Sequence, residues 1–259
     1  MSVTLGGDDL EYVGTVGLMS GIDVVPTEFL WSIMALRDDI HQHFAAAGGN
    51  VLWVGAGPTD HAHARNQLVE AMRGDWLLML DCDHYVEPDV LRKMLALMYN
   101  DGHDKPPACP VVTGLYFSRK RFWQATHGGE FVGRSPQLYV WDTEHPGMAR
   151  HVDYLTMLVD GVVQRDQVFQ IHACGGGILL VHRSVFERIR DELGEKPFDN
   201  AFNEFGRMSE DLSFCWRCHK LGIPIYCHPG AQSYHLERRM LSLDEVVRER
   251  AEALGAGAV

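Results

Sequence analysis

Asp75-Trp-Leu-Leu-Met-Leu-Asp-Cys-Asp83 sets five consecutive apolar residues, Trp76 to Leu80, between acids. A run this short and apolar on both faces fits a central strand covered by helices on each side. In open α/β sheets, ligands bind beyond the carboxyl ends of the strands, so Asp81 and Asp83 stand where chemistry sits. Residues two apart on extended backbone project to the same side, and the two carboxylates are therefore expected to face one ligand together. Carboxylate oxygens suit Mg²⁺ or Mn²⁺. The plain alternative is that Asp81 caps a turn and Asp83 is solvated, since two aspartates at a strand end are common.

Outward from this strand, apolar runs alternate with helical patterns, the order expected of βαβ units and a mainly parallel sheet. Upstream, Tyr12–Met19 reads as a first strand, followed by Ser20-Gly21. Pro26-Thr27 starts a helix whose Phe29, Leu30, Ile33, Met34 and Ile40 recur at helical spacing. Val51–Val54 reads as a second strand, and Asp60 caps a helix with Ala64, Leu68, Val69 and Met72 on its buried face. Downstream, Glu87-Pro88 opens a helix with Val90, Leu91, Met94, Leu95 and Met98 inward, and Ala108–Leu115 is a fourth strand. From Tyr116 to His172 the pattern loosens, with hairpin strands expected around Gln137–Trp141 and Val168–Ile171. Order returns with a strand in Gly175-Gly-Gly-Ile-Leu-Leu-Val181, helices at Ser184–Leu193 and Ser209–Leu221, and a strand at Ile223–Cys227. Ser242-Leu-Asp-Glu245 is a capping box for a last helix, and Leu254–Val259 reads as a frayed tail.

At 259 residues with no linker-like stretch, the chain reads as one domain over residues 1–259, and 46% hydrophobic with 22% charged residues excludes wholesale disorder. Its apolar runs fall far short of the roughly 20 residues of a membrane span, and no basic region followed by an apolar one opens it. A cytoplasmic location is expected. The six cysteines lie mostly inside predicted strands and helices, which favours reduced thiols over a disulfide framework. A formal charge of −12 repels polyanions, so a nucleic-acid partner would need a strong local basic patch.

Arg65-Asn66 on a helix, then Asp75 to Asp83, then the helix after Glu87-Pro88, resemble the nucleotide-sugar-binding half of family 2 glycosyltransferases, which have the GT-A (Rossmann-like) α/β fold. The resemblance continues through Cys174-Gly-Gly-Gly-Ile-Leu-Leu-Val-His-Arg183, Ser209-Glu-Asp-Leu-Ser-Phe-Cys215 and Tyr234-His-Leu-Glu237, in the family's order. It implies a mainly parallel central sheet flanked by helices, with a nucleotide-sugar-binding half over 10–115. A small mixed acceptor-side half over 116–240 and a C-terminal helix and tail over 241–259 follow. It also implies that Asp83 and His235 hold Mn²⁺ or Mg²⁺, while Asp81 contacts the ribose or the ion through water. Cys82, the variable middle residue of the triplet, Arg65 near the diphosphate, and Ser20 would complete the nucleotide site. The implied activity is transfer of a hexose from a nucleotide-diphosphate sugar, UDP favoured and GDP admitted, to an acceptor hydroxyl.

Glu210-Asp211 opens a predicted helix, where acids favour the helix dipole whatever the function. Its place after the glycine-rich strand and before His235 points to catalysis. In an inverting transfer, one carboxylate removes the acceptor hydroxyl's proton as oxygen attacks the anomeric carbon, with Asp211 as that base and Glu210 orienting acceptor or sugar hydroxyls. The helix end lowers the basicity of Asp211, whereas burial raises it. A retaining transfer would need no base there. Among fourteen histidines, only His235 is singled out, by its Tyr-His-Leu-Glu context. Gly175-Gly-Gly177 lacks the Lys-Ser/Thr of a phosphate loop, so close approach of backbone to a ligand is expected, with Gly176 on the acceptor. Ser118-Arg-Lys-Arg-Phe-Trp123 is either a solvated loop or a contact for an anionic acceptor, with Trp123 stacking on a ring. Arg238-Arg239 allows the same two readings. Cys215-Trp-Arg-Cys218 has the spacing of a zinc half-site, but it falls inside an amphipathic helix without further ligands at standard spacing.

Three other functions compete. Glycosylation of modified DNA bases would lean on Arg119–Arg121. Sugar nucleotidyltransfer calls for a basic, glycine-rich loop after the first strand, and Gly17-Leu-Met-Ser-Gly-Ile-Asp23 has no Lys or Arg. A non-catalytic glycan-binding domain is opposed by the joint presence of Asp81, Asp83, Asp211 and His235. The expected partners are a nucleotide sugar and a carbohydrate or small-molecule acceptor.

Overall fold

In chain order the strands and helices begin with β1 (Val3–Leu5), β2 (Tyr12–Met19), α1 (Thr27–Phe44), β3 (Asn50–Ala56), α2 (His61–Ala71) and β4 (Trp76–Asp81). Next come β5 (His84–Val86), α3 (Val90–Met98), β6 (Val111–Leu115), β7 (Phe117–Thr126), β8 (Gly129–Pro136), β9 (Leu138–Trp141), β10 (Ala149–His151) and α4 (Tyr154–Val159). The remainder are β11 (Phe169–Ile171), β12 (Ala173–Cys174), β13 (Ile178–His182), α5 (Arg183–Leu193), β14 (Phe202–Asn203), β15 (Gly206–Arg207), α6 (Glu210–Lys220) and β16 (Ile225–His235). This computed structural model describes residues 3–5, 11–20, 25–44, 49–100, 102, 106–126, 129–161, 163–204, 206–236, 243–244 and 246–248, with backbone alone at 3–5, 119–126, 129–133, 156 and 159.

The main sheet runs β1-β3-β2-β4-β13-β6-β16-β11, and β5 pairs with β16 off that path. β2 is parallel to β3 and β4, β6 is parallel to β16, and β13 lies antiparallel between β4 and β6. The strands β3, β2, β4, β6 and β16 therefore point one way, while β1, β13 and β11 point the other. This is the expected α/β architecture, a largely parallel sheet flanked by helices with small separate sheets beside it.

β4 is the axis of the core. Leu77 and Met79 join the cluster containing Leu68 of α2, Phe186 of α5 and Phe214 of α6. Leu78 and Leu80 join the one containing Leu36 of α1 and Leu91 and Met94 of α3. Each of these side chains, fully buried, contributes about 1.5–3 kcal/mol relative to exposure, which is why the strand is apolar on both faces. Asp60 caps α2 as expected, its carboxylate accepting the His63 backbone N–H at 3.1 Å.

Several local expectations change. Leu30 and Met34 are exposed at 50% and 60%, because α1 buries Phe29, Ser32, Leu36 and Ile40 instead, a phase set by what packs against it. α3 starts at Val90 with Asp89 at its cap, so Pro88 precedes the helix rather than occupying its first turn. β9 and β11 exist but do not pair with each other: β9 pairs with β10 and β12, and β11 with β16. The hairpin lies earlier, between β7 and β8.

β16 does not stop at Cys227. It pairs with β6 through His228, absorbs Pro229-Gly230 in an irregularity, meets β6 again at Gln232, the partner of Leu115, and continues beside β5 to His235. The six cysteines are buried and none is in a disulfide. Among the described residues, no helix is long and apolar enough to cross a membrane. Leu243 and Val246 are helical and buried, whereas residues 21–23, Arg238-Arg239, Ser242, Glu245 and the tail from Leu254 lie outside the described residues.

Candidate active site

The site forms where strand ends meet. Met19, the last residue of β2, is the register partner of Asp81, the last residue of β4. Met19 O accepts the Cys82 N–H at 3.0 Å, and Gly177 O accepts the Asp81 N–H at 3.1 Å. Ser20 follows directly, its N–H donated to Ala56 O at 3.2 Å, which sets it on the same edge of the sheet. The extended-backbone argument for Asp81 and Asp83 does not hold: β4 ends at Asp81, and Cys82-Asp83 form a turn into β5. The turn sends the two carboxylates to different partners. Cys82, expected in the nucleotide site, is buried, so its thiol faces the interior.

Asp81 meets Arg65 of α2, whose Nη2 donates to Oδ1 at 3.0 Å, while Arg65 Nε donates to Glu210 Oε1 at 3.3 Å. Arg65 is 1% exposed. Burial opposes its charge, but Asp81 and then Glu210 outweigh it and raise its pKa further above the ordinary range. One buried cation on α2 thus ties the end of β4 to the start of α6, which lies 145 residues beyond Arg65 in sequence.

Gly175-Gly-Gly177 shapes this centre. A Cβ on Gly176 would lie 2.2 Å from Arg65 Nη2, one on Gly175 2.1 Å from the Tyr116 hydroxyl, and one on Gly177 2.6 Å from the His84 ring. The close approach expected of these glycines is therefore to side chains of the chain itself. Gly176, expected on the acceptor, is buried against the guanidinium. Tyr116 Oη accepts the Gly177 N–H at 3.0 Å, and burial reinforced by Asp211 pushes its pKa well up, keeping the phenol protonated.

Asp83, His84 and His235 offer ligand atoms that lie within 4.8 Å of one another. Asp81 is not in this group, and His84 was not foreseen. His84 and His235 are register partners on β5 and β16, so their rings share a face, with centroids 4.1 Å apart. His84 is fully buried; its Nδ1 meets Ser233 Oγ at 2.9 Å, and its Nε2 has no hydrogen-bond partner. Such an unmet buried nitrogen costs about 1–3 kcal/mol. Burial, then the neighbouring His235 and Arg65, holds this imidazole neutral, the form that binds metal. His235 Nδ1 donates to the Phe117 carbonyl, which in the neutral ring puts the lone pair on Nε2. A carboxylate beside two imidazoles fits a divalent cation in donor chemistry.

At the start of α6, the Leu212 N–H donates to Asp211 Oδ1 at 2.8 Å, and the Ser209 hydroxyl donates to the same oxygen. Burial and the adjacent Glu210 raise the Asp211 pKa above the ordinary carboxylate value, against the lowering pull of Ser209, Arg65 and the helix N–H. Burial wins over the helix end. His61, at 60% exposure, reaches Glu210 Oε1 at 3.7 Å.

The remaining expectations fall elsewhere. Trp123 and Arg119–Arg121 lie on β7, and their side chains are outside those described. An open cleft of about 680 Å³ is lined by Glu87, Asp89, Lys93, His228, Gln232 and Tyr234. Because side chains alternate along β16, Tyr234 and Gln232 face away from His235 and Ser233, so this cleft lies on the far side of the β5–β16 pair from the metal-type group.

Residues 54–190, just over half of the chain, match the family described as Glycosyl transferase family 2. Among solved structures, A197 from STIV is 18% identical over 89% of this chain and 90% of its own, at a TM-score of 0.47. GalNAc-T7, crystallised with UDP, GalNAc and Mn²⁺, is 12% identical over 93% of this chain and 48% of its own, at 0.49. CMP:2-keto-3-deoxy-manno-octonic acid synthetase complexed with CTP is 14% identical over 94% and 99%, at 0.43. No curated protein matches.

Proposed function

The chain belongs to glycosyl transferase family 2, and from that premise we propose that it transfers a hexose from a nucleotide-diphosphate sugar to an acceptor hydroxyl, with inversion. UDP sugars are the first donors to try and GDP sugars the second, and the acceptor is a carbohydrate or small molecule. The observation that carries this reading is the Arg65 clamp, which brings the acid at the end of β4 and the acids at the start of α6 into one site.

Asp83 and His235 hold Mn²⁺ or Mg²⁺ in this reading, and such an ion offsets the charge building on the departing diphosphate. Ser20, beside the end of β4, lines the nucleotide pocket. Arg65 serves as the positive backing of Asp81 and Glu210 rather than as a direct phosphate ligand, since its guanidinium is enclosed. Asp81, only partly covered, turns toward the ribose. Two hydrogen bonds to Oδ1 fix the Asp211 carboxylate, and Oδ2 takes the acceptor proton as the acceptor oxygen bonds to the anomeric carbon. The bond from that carbon to the diphosphate breaks, and the nucleoside diphosphate leaves with its electron pair. Glu210 orients hydroxyls beside it.

A panel of UDP- and GDP-hexoses with Mn²⁺ or Mg²⁺, read by thermal stabilisation and slow donor hydrolysis, tests this. Asp83→Ala is expected to abolish metal-dependent stabilisation by the donor. Asp211→Ala is expected to keep donor binding and lose transfer by about 10²–10⁴-fold. Equal hydrolysis and transfer by wild type and Asp83→Ala would overturn the metal assignment, and no binding of any donor would overturn the reading as a whole.

A further inference from the structure

His84 has no part in the reading above. It is fully buried, yet its Nε2 is out of reach of water and has no hydrogen-bond partner. That nitrogen lies 3.8 Å from Asp83 Oδ1. The ligand atoms of Asp83, His84 and His235 fall within 4.8 Å of one another, and bonds of about 2.1 Å to a common ion need separations of about 3–4 Å. Only small side-chain adjustments separate the three from a shared ion.

The surroundings of both rings have the form that metal-binding histidines need. Such a ring holds its second nitrogen against a polar partner, which sets its tautomer and its angle. Ser233 Oγ meets Nδ1 of His84, and the Phe117 carbonyl accepts from Nδ1 of His235. A Cβ on Gly177 would fall 2.7 Å from His84 Nε2, so glycine there lets the backbone close over the ring. The β5–β16 register supplies the remaining requirement by putting both imidazoles on one face.

We infer that His84 is a third protein ligand, so that the ion is held by one carboxylate and two imidazoles and the site selects Mn²⁺ or Co²⁺ over Mg²⁺ before any nucleotide arrives. This rests on the metal-dependent reading above. Mg²⁺ prefers an all-oxygen shell and keeps most of its waters, whereas imidazole suits the later transition ions. Two nitrogens among three protein ligands therefore penalise Mg²⁺ specifically.

Pulsed electron paramagnetic resonance on nucleotide-free protein with substoichiometric Mn²⁺ counts the coordinated imidazoles directly. Two coupled nitrogens are expected in the wild-type protein, and one in His84→Asn. Mn²⁺ affinity should fall about tenfold or more in that variant. Mg²⁺ in equal amount should fail to displace Mn²⁺ from the wild type. A single coupled nitrogen in the wild-type protein overturns the inference without any variant having to fold, as does free exchange of Mn²⁺ for Mg²⁺. No nucleotide is present, so either failure leaves the sugar-transfer reading standing. Two nitrogens in a protein that binds no nucleotide sugar would sink that reading and support the ligand set.

Discussion

The end of β4 and the start of α6 each carry two acids, and Arg65 divides both pairs in the same way. Asp81 and Glu210 take the guanidinium, while Asp83 and Asp211 are directed elsewhere. Beyond that the two regions differ. Asp83 leaves the strand through a turn and sits near two imidazoles. Asp211 stays in the first turn of its helix, where burial and Glu210 raise its proton affinity. A carboxylate that holds a metal ion works alongside other electron-pair donors, whereas one that takes a proton gains from being pushed toward the working pH. In the proposed reading the same residue type is thus fitted to two tasks by its surroundings, and Arg65 links the two.

Removing that cation breaks both sides at once. Arg65→Met leaves Asp81 and Glu210 without their partner, and the loss of one member of a buried ion pair costs about 3–5 kcal/mol, measurable by denaturant unfolding. Since the two acids are partly solvated, the lower end of that range is expected. A change below about 1 kcal/mol would show that the clamp does not hold the halves together.

Gly176→Ala tests the same clamp without altering any charge. Where space and backbone allow, Gly→Ala stabilises by about 0.4–1 kcal/mol. Here the new methyl meets Arg65 Nη2 at 2.2 Å, and the guanidinium is tethered on both sides, so a loss of about 1–3 kcal/mol is expected from overpacking. A more stable variant would mean that Arg65 yields easily and that the clamp is loose.

The smallest effect sharpens the contrast between the two acidic pairs. A base must be ionised, so the transfer rate should rise with pH as Asp211 loses its proton, along an acid limb displaced above the ordinary carboxylate range. Glu210→Gln removes the raising charge and should move that limb to lower pH. Asp81→Asn should leave it in place whatever it does to the absolute rate. A limb that ignores Glu210→Gln would remove Asp211 from the base position.

Much of the first half of the fold was legible along the chain because its signals are local. Five apolar residues in a row mark β4, Asp60 marks the start of α2, and the alternation of runs marks the βαβ order. Asp83 and His235 also stood out, through the patterns around them. His84 did not, although it directly follows Asp83. Its meaning depends on a strand pairing with residues about 150 positions away, on a strand that the apolar pattern alone ends at Cys227. The three glycines were visible, but their partners Tyr116, Arg65 and His84 come from three different elements. On α1 the expected Phe29 and Ile40 are covered but Leu30 and Met34 are not, for a related reason: Leu30 and Leu36 are equally apolar, and only packing decides which is covered.

By itself, then, the sequence determined the class of fold and the central strand, because hydrophobic period, caps and chain breaks act over a few residues, and it marked out the acids that the structure gathers at one edge of the sheet. The tertiary structure alone decided how those acids are shared. Arg65 takes one from each pair, a turn separates Asp81 from Asp83, and a long, irregular strand delivers His235 opposite His84. Contacts of this kind are set by sheet register and close packing across distant segments, and no local pattern encodes them.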